Sequence, residues 1–367
     1  MPGPDSYPIK SPSQSHVAGS TLRFHSWVPR RGPSGGRNVI DGFEITIDVA
    51  DLDVSVAAIE GADLWRFFKR IQIEQAGGQL RWNLRGDESR AACYLLEGPD
   101  RVREFADAAI ATDAVVKFSV YIPMERRYAV EPRDFSLAAE LLSELRIECT
   151  DVAEFTGSTV VMTGASYYVT AWCHEEFSVR ICPYDVVSAM AFPSTTGLQL
   201  PVAGRLHDLL FYARGVAGGA SVANFTDTRI DYLIPVALSR LDTLGQYQRD
   251  RRNATNLASA DGAQVRMDPF INAKAVPVLW CTDRTSVFDG PLLDQAIINV
   301  TNSVASLLAI NRVVKPRDPQ IVAAVMDRHG LKEESFRVKT KGKSKRGREK
   351  WSPEQEAFMP LVAPLYR

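Results

Sequence analysis

FKRIQIEQAGGQLRWNLRGDESR, residues 68–90, is the stretch from which the fold can be read. Ile71 and Ile73 alternate with Arg70, Gln72 and Glu74. Beyond Ala76-Gly77-Gly78, Leu80, Trp82 and Leu84 alternate with Arg81, Asn83 and Arg85. A period of two on both sides of a Gly-Gly turn predicts a β-hairpin with one buried face. Gly77 and Gly78 suit the turn, because tight turns demand a positive φ that penalises any residue with a Cβ. Ile71, Ile73, Trp82 and Leu84 are the expected core residues of this hairpin.

The same period recurs outward from it. Phe43, Ile45, Ile47 and Val49 alternate with Glu44, Thr46 and Asp48, and Val116, Phe118, Val120 and Ile122 with Lys117, Ser119 and Tyr121. Leu145, Ile147 and Cys149 form a further strand pattern, and Thr159 to Trp172 is rich in residues that suit a pleated surface. Gly98 to Ala111 reads as a short helix, with Asp100 as N-cap and Val102, Phe105 and Ala109 on one face. Short strands and little helix predict an all-β sandwich or barrel.

The second half reads as an echo of the first. Leu206 to Leu238 can be laid on the hairpin, with Gly218-Gly219 where Gly77-Gly78 stood and Asp227 near Asp87. Val276, Val278 and Trp280 resemble the strand at Val116 to Val120, and Leu292 to Ile310 resembles Leu137 to Ile147. The extra length falls in a polar stretch around 245–268, which carries Arg249, Arg251 and Arg252 and reads as a loop insertion. The expected division is an N-terminal arm over 1–38, a first domain over 39–195, a second over 196–316 and a C-terminal helix and tail over 317–367.

The ends differ in character. Six prolines lie in residues 1–38, at Pro2, Pro4, Pro8, Pro12, Pro29 and Pro33, a composition that cannot build a core by itself. That segment is expected to be disordered or laid across a neighbour, with Phe24 and Trp27 favouring docking. Asp318 to His329 has the pattern of an amphipathic helix. The basic run beyond it carries Lys339, Lys341, Lys343, Lys345, Arg346, Arg348 and Lys350. Such a run is either a solvated segment or a contact for lipid headgroups or nucleic-acid phosphates.

Composition bounds the rest. The 367 residues are 45% hydrophobic and 24% charged, with a formal net charge of −1. That balance is globular and opposes strong overall attraction to nucleic acid or anionic membrane. Cys93, Cys149, Cys173, Cys182 and Cys281 lack metal-ligand spacing and read as buried apolar residues of a reducing compartment. Without a signal-peptide pattern or an apolar run of membrane-spanning length, a soluble protein made in a cytosol is expected.

Chemistry is hard to find. Of five histidines, only His174 and His207 fall within the patterned strands. Cys173, His174 and Glu176 carry ligand-type atoms, but neighbours in a strand point to opposite faces and do not converge readily on one metal. His207-Asp208 reads as an ordinary strand-edge pair. RGPSGGR at Arg31 to Arg37 lacks the strand and helix that a phosphate cradle requires, and Gly86-Asp87 reads as turn chemistry. No catalytic residue, cofactor or metal is expected, and a binding or structural role is favoured over an enzyme.

Residues 68–90, with their alternating isoleucines, glycine turn and Gly86-Asp87-Glu88 ending, resemble the first jelly roll of the double jelly-roll major capsid proteins of the tectivirus, corticovirus and adenovirus lineage. The resemblance implies two jelly-roll β-sandwiches in tandem with short helices in loops and extended termini. It further implies homotrimers that act as pseudo-hexameric capsomers of an icosahedral virion, made in a host cytoplasm. Partners would be neighbouring capsomers, vertex proteins and, through the termini, an internal membrane or the packaged genome. The alternative is a carbohydrate- or receptor-binding spike-like sandwich, with Tyr167, Tyr168 and Trp172 as a sugar platform.

Overall fold

Alternating apolar residues in the first half become two facing sheets with a single core between them. The computed structural model describes residues 5–17, 19–54, 65–93, 104–106, 114–126, 132–149, 160–177, 184–191, 198–199, 205–213, 225–233, 237–243, 275–279, 288–289, 295–302 and 307–315. The chain opens with β1 (Tyr7–Lys10), β2 (Gln14–Ser15), β3 (Thr21–His25) and the long β4 (Arg37–Val54). There follow β5 (Phe68–Gln75), β6 (Gln79–Leu84), helix α1 (Gly86–Ala92), β7 (Glu104–Ala106) and β8 (Ala114–Pro123). The half closes with β9 (Leu137–Ala138), β10 (Leu142–Cys149), β11 (Val160–Thr163) and β12 (Ser166–Glu176). One sheet runs β1-β12-β4-β8-β7, and β3-β10-β5-β6 faces it. Phe43, Ile45, Ile47 and Val49 of β4 are all fully buried, as are Ile71, Ile73, Leu145 and Ile147 opposite them.

The hairpin forms as its sequence predicts, with φ of 90° at Gly77 and 75° at Gly78. One detail departs from strict alternation. Ile73 pairs with Trp82 but Glu74 pairs with Leu80, so Arg81 is the extra residue of a β-bulge. The bulge turns Arg81 inward, where it is 4% exposed, and leaves Leu80 half-buried.

Three further expectations give way. Gly86-Asp87-Glu88 begins helix α1 and is no isolated turn, because the Glu88 carboxylate accepts the Arg85 backbone N–H at 3.0 Å and caps the first turn. Gly86 is required there, since a Cβ would overlap the Trp65 carbonyl oxygen. In the segment expected to be helical, residues 104–106 form β7, in register with Phe118 to Val120. The open edge of β8 supplies backbone partners that local helix propensity does not outweigh; the rest of that segment lies outside the described residues.

The third concerns the N-terminal arm. β1 pairs with β12 from Tyr7↔Cys173 to Lys10↔Thr170, and β3 pairs with β10 from Glu144↔His25 to Glu148↔Thr21. Leu22 and Phe24 enter the core, and β1 and β3 lie at the ends of the two sheets of the first sandwich. The prolines do not prevent this, because edge strands tolerate a missing N–H on their outer side.

The second half comprises β13 (Tyr184–Ala191), β14 (Leu198–Gln199), β15 (Arg205–Ala213), β16 (Phe225–Leu233) and β17 (Ala237–Thr243). It continues with β18 (Ala275–Leu279), β19 (Phe288–Asp289), β20 (Gln295–Asn302) and β21 (Leu307–Lys315). Its strands are ordered β13-β21-β15-β18 in one sheet and β14-β20-β16-β17 in another, the four-plus-four arrangement of a jelly roll. β13, within the span expected to end the first domain, pairs along its whole length with β21 and also in parallel with β6.

The expected echo holds for one strand and fails for the next. β15 lies beside β21 as β5 lies beside β10, each next to a late strand of its own half. β6 returns beside β5, whereas β16 lies in a different sheet from β15. Gly218-Gly219, Trp280, the 245–268 insertion and everything beyond residue 315 lie outside the described residues.

The halves are joined by β6 and β13, which pair in parallel through Trp82↔Val187 and Asn83↔Ser188. The order β18-β15-β21-β13-β6-β5-β10-β3 is therefore one continuous sheet through both sandwiches. The apolar core crosses with it: Val187, Leu210, Tyr212, Leu308 and Ile310 join the cluster that holds Trp82, Leu84, Ala91 and Ala92. Trp82 is 3% exposed, and its indole N–H donates to Ser89 Oγ at 3.0 Å. Trp82→Ala should cost about 3–5 kcal/mol in chemical denaturation. A loss below about 1 kcal/mol would place the ring outside the core.

Candidate functional site

Two polar constellations stand out, one at the end of the first sandwich and one between the sandwiches. The first gathers at the N-terminal end of β4. Asp41 is fully buried and His174 is 5% exposed. His174 Nδ1 lies 2.8 Å from Asp41 Oδ1, and Nε2 lies 3.5 Å from Glu176 Oε1. Ser6 donates to Asp41 Oδ2 at 2.7 Å and Ser136 to Asp41 Oδ1 at 2.8 Å, while Arg133 Nε approaches Asp41 at 3.9 Å. Arg37 donates to Glu176 at 2.9 Å and pairs with Glu140 at 3.4 Å. The cluster thus ties the N-terminal segment, β4, the 132–141 connection and β12 to one another.

Its electrostatics follow from that geometry. Burial alone would depress His174, but the hydrogen bonds to Asp41 and Glu176 and the charge of Asp41 outweigh it and raise the pKa to about 9. Burial works to raise the Asp41 carboxyl, yet His174, Ser6 and Ser136 hold it below its ordinary value. Glu176 is likewise lowered against burial, by His174 and Arg37. At neutral pH the group is a buried imidazolium between two carboxylates. Cys173, on the same strand, is fully buried, and burial with the charge of Asp41 pushes its thiol up to about 12. It offers no thiolate to a metal or substrate at neutral pH. Among the described residues no group of three His, Cys, Asp or Glu side chains is placed to hold a metal ion.

The glycine-rich stretch at Arg31 to Arg37 serves the same end of the molecule. The Glu175 carboxylate accepts the backbone N–H groups of Ser34 and Gly36, each at 2.9 Å. Successive amides of a tight turn form an anion-binding concavity, and here a carboxylate of the same chain fills it. Tyr7 reaches this region too, donating its hydroxyl to Asn38 Oδ1.

The second constellation lies on the seam. Arg81 donates from Nε to the Asp185 carbonyl and from Nη2 to the Phe135 carbonyl, both at 2.8 Å. Arg126 Nη1 and Arg312 Nε approach the Asp185 carboxylate at 3.7 and 3.9 Å, and the Arg126 guanidinium lies 5.0 Å from the centre of the Phe135 ring. Tyr212 of β15 donates to Asp87 Oδ2 of α1 at 2.9 Å. Burial and the Asp87 charge push the Tyr212 phenol well up, so it remains a donor.

The sequence reading anticipated little of this. His174 and Glu176 do meet, because they lie two residues apart on one face of β12, and they also meet Asp41 and Arg37. His207 lies at a register shift of β15 against β21. Tyr167 is fully buried, stacked 5.6 Å from His16. The Tyr168 ring is covered by Lys10 Nζ at 3.5 Å, and Trp172 donates to Glu44 at 3.1 Å. These rings are engaged within the fold. Lys339, Lys341, Lys343, Lys345, Arg346, Arg348 and Lys350 lie outside the described residues.

No family model and no curated protein sequence matches the chain. Solved structures do. The fold is similar to that of the STIV major capsid protein at 12% identity and a TM-score of 0.56, over 87% of this chain and 99% of that one. A chain in the atomic structure of Sulfolobus turreted icosahedral virus gives 12% identity and 0.57, over 89% and 97%. The major capsid protein of bacteriophage PM2 gives 11% and 0.51, over 85% and 99%. At these identities the likeness is one of fold: an all-β double jelly roll spanning nearly the full length of both chains.

The polar cluster makes stability depend on pH in both directions. The folded pKa of His174 lies above its unfolded value, so its contribution is complete below about pH 6.5 and is lost as pH rises through about 9. Asp41 and Glu176 are lowered, so their contribution is present above the ordinary carboxylate range and is lost as pH falls. Denaturation midpoints should therefore plateau between about pH 4.5 and 6.5. His174→Gln should remove the alkaline limb, on the order of 3 kcal/mol. An unchanged alkaline limb in that variant would contradict the assignment. Glu175→Ala should speed amide exchange at Ser34 and Gly36 about tenfold, with the strands unaffected.

Proposed function

We propose that the chain is a structural capsid protein of a virion, and that three copies associate into a pseudo-hexagonal capsomer that tiles an icosahedral shell. The observation that carries this reading is the pair of jelly rolls built on one continuous sheet, matched over nearly the whole length of viral major capsid proteins. A chain that supplies two similar sandwiches offers a threefold assembly six sandwich-sized units, which suits a six-fold lattice. The constellations described above serve cohesion: their charged side chains are spent on one another and on backbone groups, which supports a structural role over an enzymatic one.

On this reading the copies are partners first of each other and then of neighbouring capsomers and vertex proteins, in a particle assembled from chains made in the host cytoplasm. The basic residues from Lys339 to Lys350 would face an internal membrane or the packaged genome. The N-terminal strands are committed to the chain's own sheets, so clasping of neighbours falls to the tail beyond residue 315. The edge strand β1 is suited to an assembling protein, because its Pro8 and Lys10 discourage indiscriminate strand pairing.

Size-exclusion chromatography with light scattering tests the proposal. A mass of three chains, persisting on dilution, is the expected result, with threefold particles of hexagonal outline in negative stain. A strictly monomeric chain at every concentration, with no particles in lysate, would overturn it.

A further inference from the structure

The β-bulge in β6 has a consequence beyond the hairpin. In a regular strand, Arg81 would alternate with Trp82 and face outward. The extra residue reverses it, and the guanidinium is 4% exposed between elements of both halves. Two of its hydrogen bonds end on backbone carbonyls, Phe135 in the first sandwich and Asp185 in the second. A planar guanidinium fixes two acceptors at a set distance and angle, which a flexible ammonium does not. Because the acceptors are backbone atoms, the position of β13 itself is specified. The parallel pairing beside it is short, with two register pairs, and by itself would leave the sandwiches free to rock.

We infer that Arg81, turned into the seam by the bulge, is a positioning residue that locks the angle between the two jelly rolls, so that the chain enters any assembly as one rigid pair. Asp185 carries the lock onward. Its carbonyl receives Arg81, while its carboxylate lies between Arg126, which covers Phe135, and Arg312 on β21. Glu125 lines the same hollow together with Arg81, Asp185 and Arg312. Tyr212 and Asp87 make a second tie across the seam, beside the buried core. A polar seam of this kind contributes less to net stability than an apolar one and more to a single defined arrangement, since a shifted β13 would strand buried charges. The inference rests on the capsid reading only for the use of a rigid pair, a fixed angle being what a closed threefold ring of six sandwiches requires.

Amide exchange on the full-length protein, read at residues 82–83 and 187–188, tests the lock without reference to assembly. In the wild-type chain these seam amides should exchange within about tenfold of the slowest amides of Phe43 to Ile47. Arg81→Met should speed the seam amides at least about tenfold while leaving Phe43 to Ile47 protected, and Arg81→Lys should recover only part of the difference. Unchanged seam exchange in Arg81→Met would overturn the lock. If that variant fails to fold, the wild-type measurement decides: seam amides exchanging much faster than the strand interiors of both halves would show a hinge. A slow seam in a protein that never trimerises would sustain the lock and sink the capsid reading. The reverse result would do the opposite.

Discussion

The parallel contact between β6 and β13 is the constraint on which the rest of the structure depends. Two jelly rolls in one chain could be separate beads. Here the hairpin at Gly77-Gly78 adds β6 to the edge of the first sandwich, and the first strand of the second sandwich pairs with that edge. One sheet then runs through both halves, and Trp82, Val187, Leu210 and Ile310 belong to a single buried cluster. Unpaired backbone at either edge would otherwise face its counterpart across the seam, so pairing satisfies both at once. Apolar burial brings the halves together, and the Arg81 and Asp185 hydrogen bonds define how they meet.

The polar knot around Asp41 does for the N-terminal segment what the seam does for the two halves. Asp5, Ser6 and Tyr7 are drawn to Arg133, Asp41 and Asn38, and the strands that follow cap both sheets of the first sandwich. In such a place a buried histidine can be held as a fixed cation, since removing its proton would leave Asp41 and Glu176 without their shared counter-charge. Both constellations use ionisable residues to fix geometry.

How much of this was legible beforehand depended on the range of the interaction. Strands β4, β5, β8 and β10 announced themselves because a half-buried strand must alternate, and Phe43 to Val49 and Ile71 to Ile73 do so. The glycine turn was legible for the same local reason. The bulge was not: nothing in Leu80-Arg81-Trp82 signals that the arginine turns inward, because its acceptors lie 54 and 104 residues away. The His174 cluster was equally hidden, since Asp41 is 133 positions from its partner. Proline content misdirected the reading of the N-terminal segment, whose stability comes from edges that already exist. Gly218-Gly219 resembled Gly77-Gly78 locally, but topology sends the strands that flank it into different sheets. Composition near a turn does not say to which sheet the chain returns.

Electron cryomicroscopy of the purified full-length protein, at a resolution that separates strands, is the most direct test of the whole account. The account predicts three copies around a threefold axis and six sandwiches in the ring, with β6 and β13 adjacent and parallel in every copy. Separate sandwiches at variable angles within each chain, or a second jelly roll paired through some other strand, would contradict it.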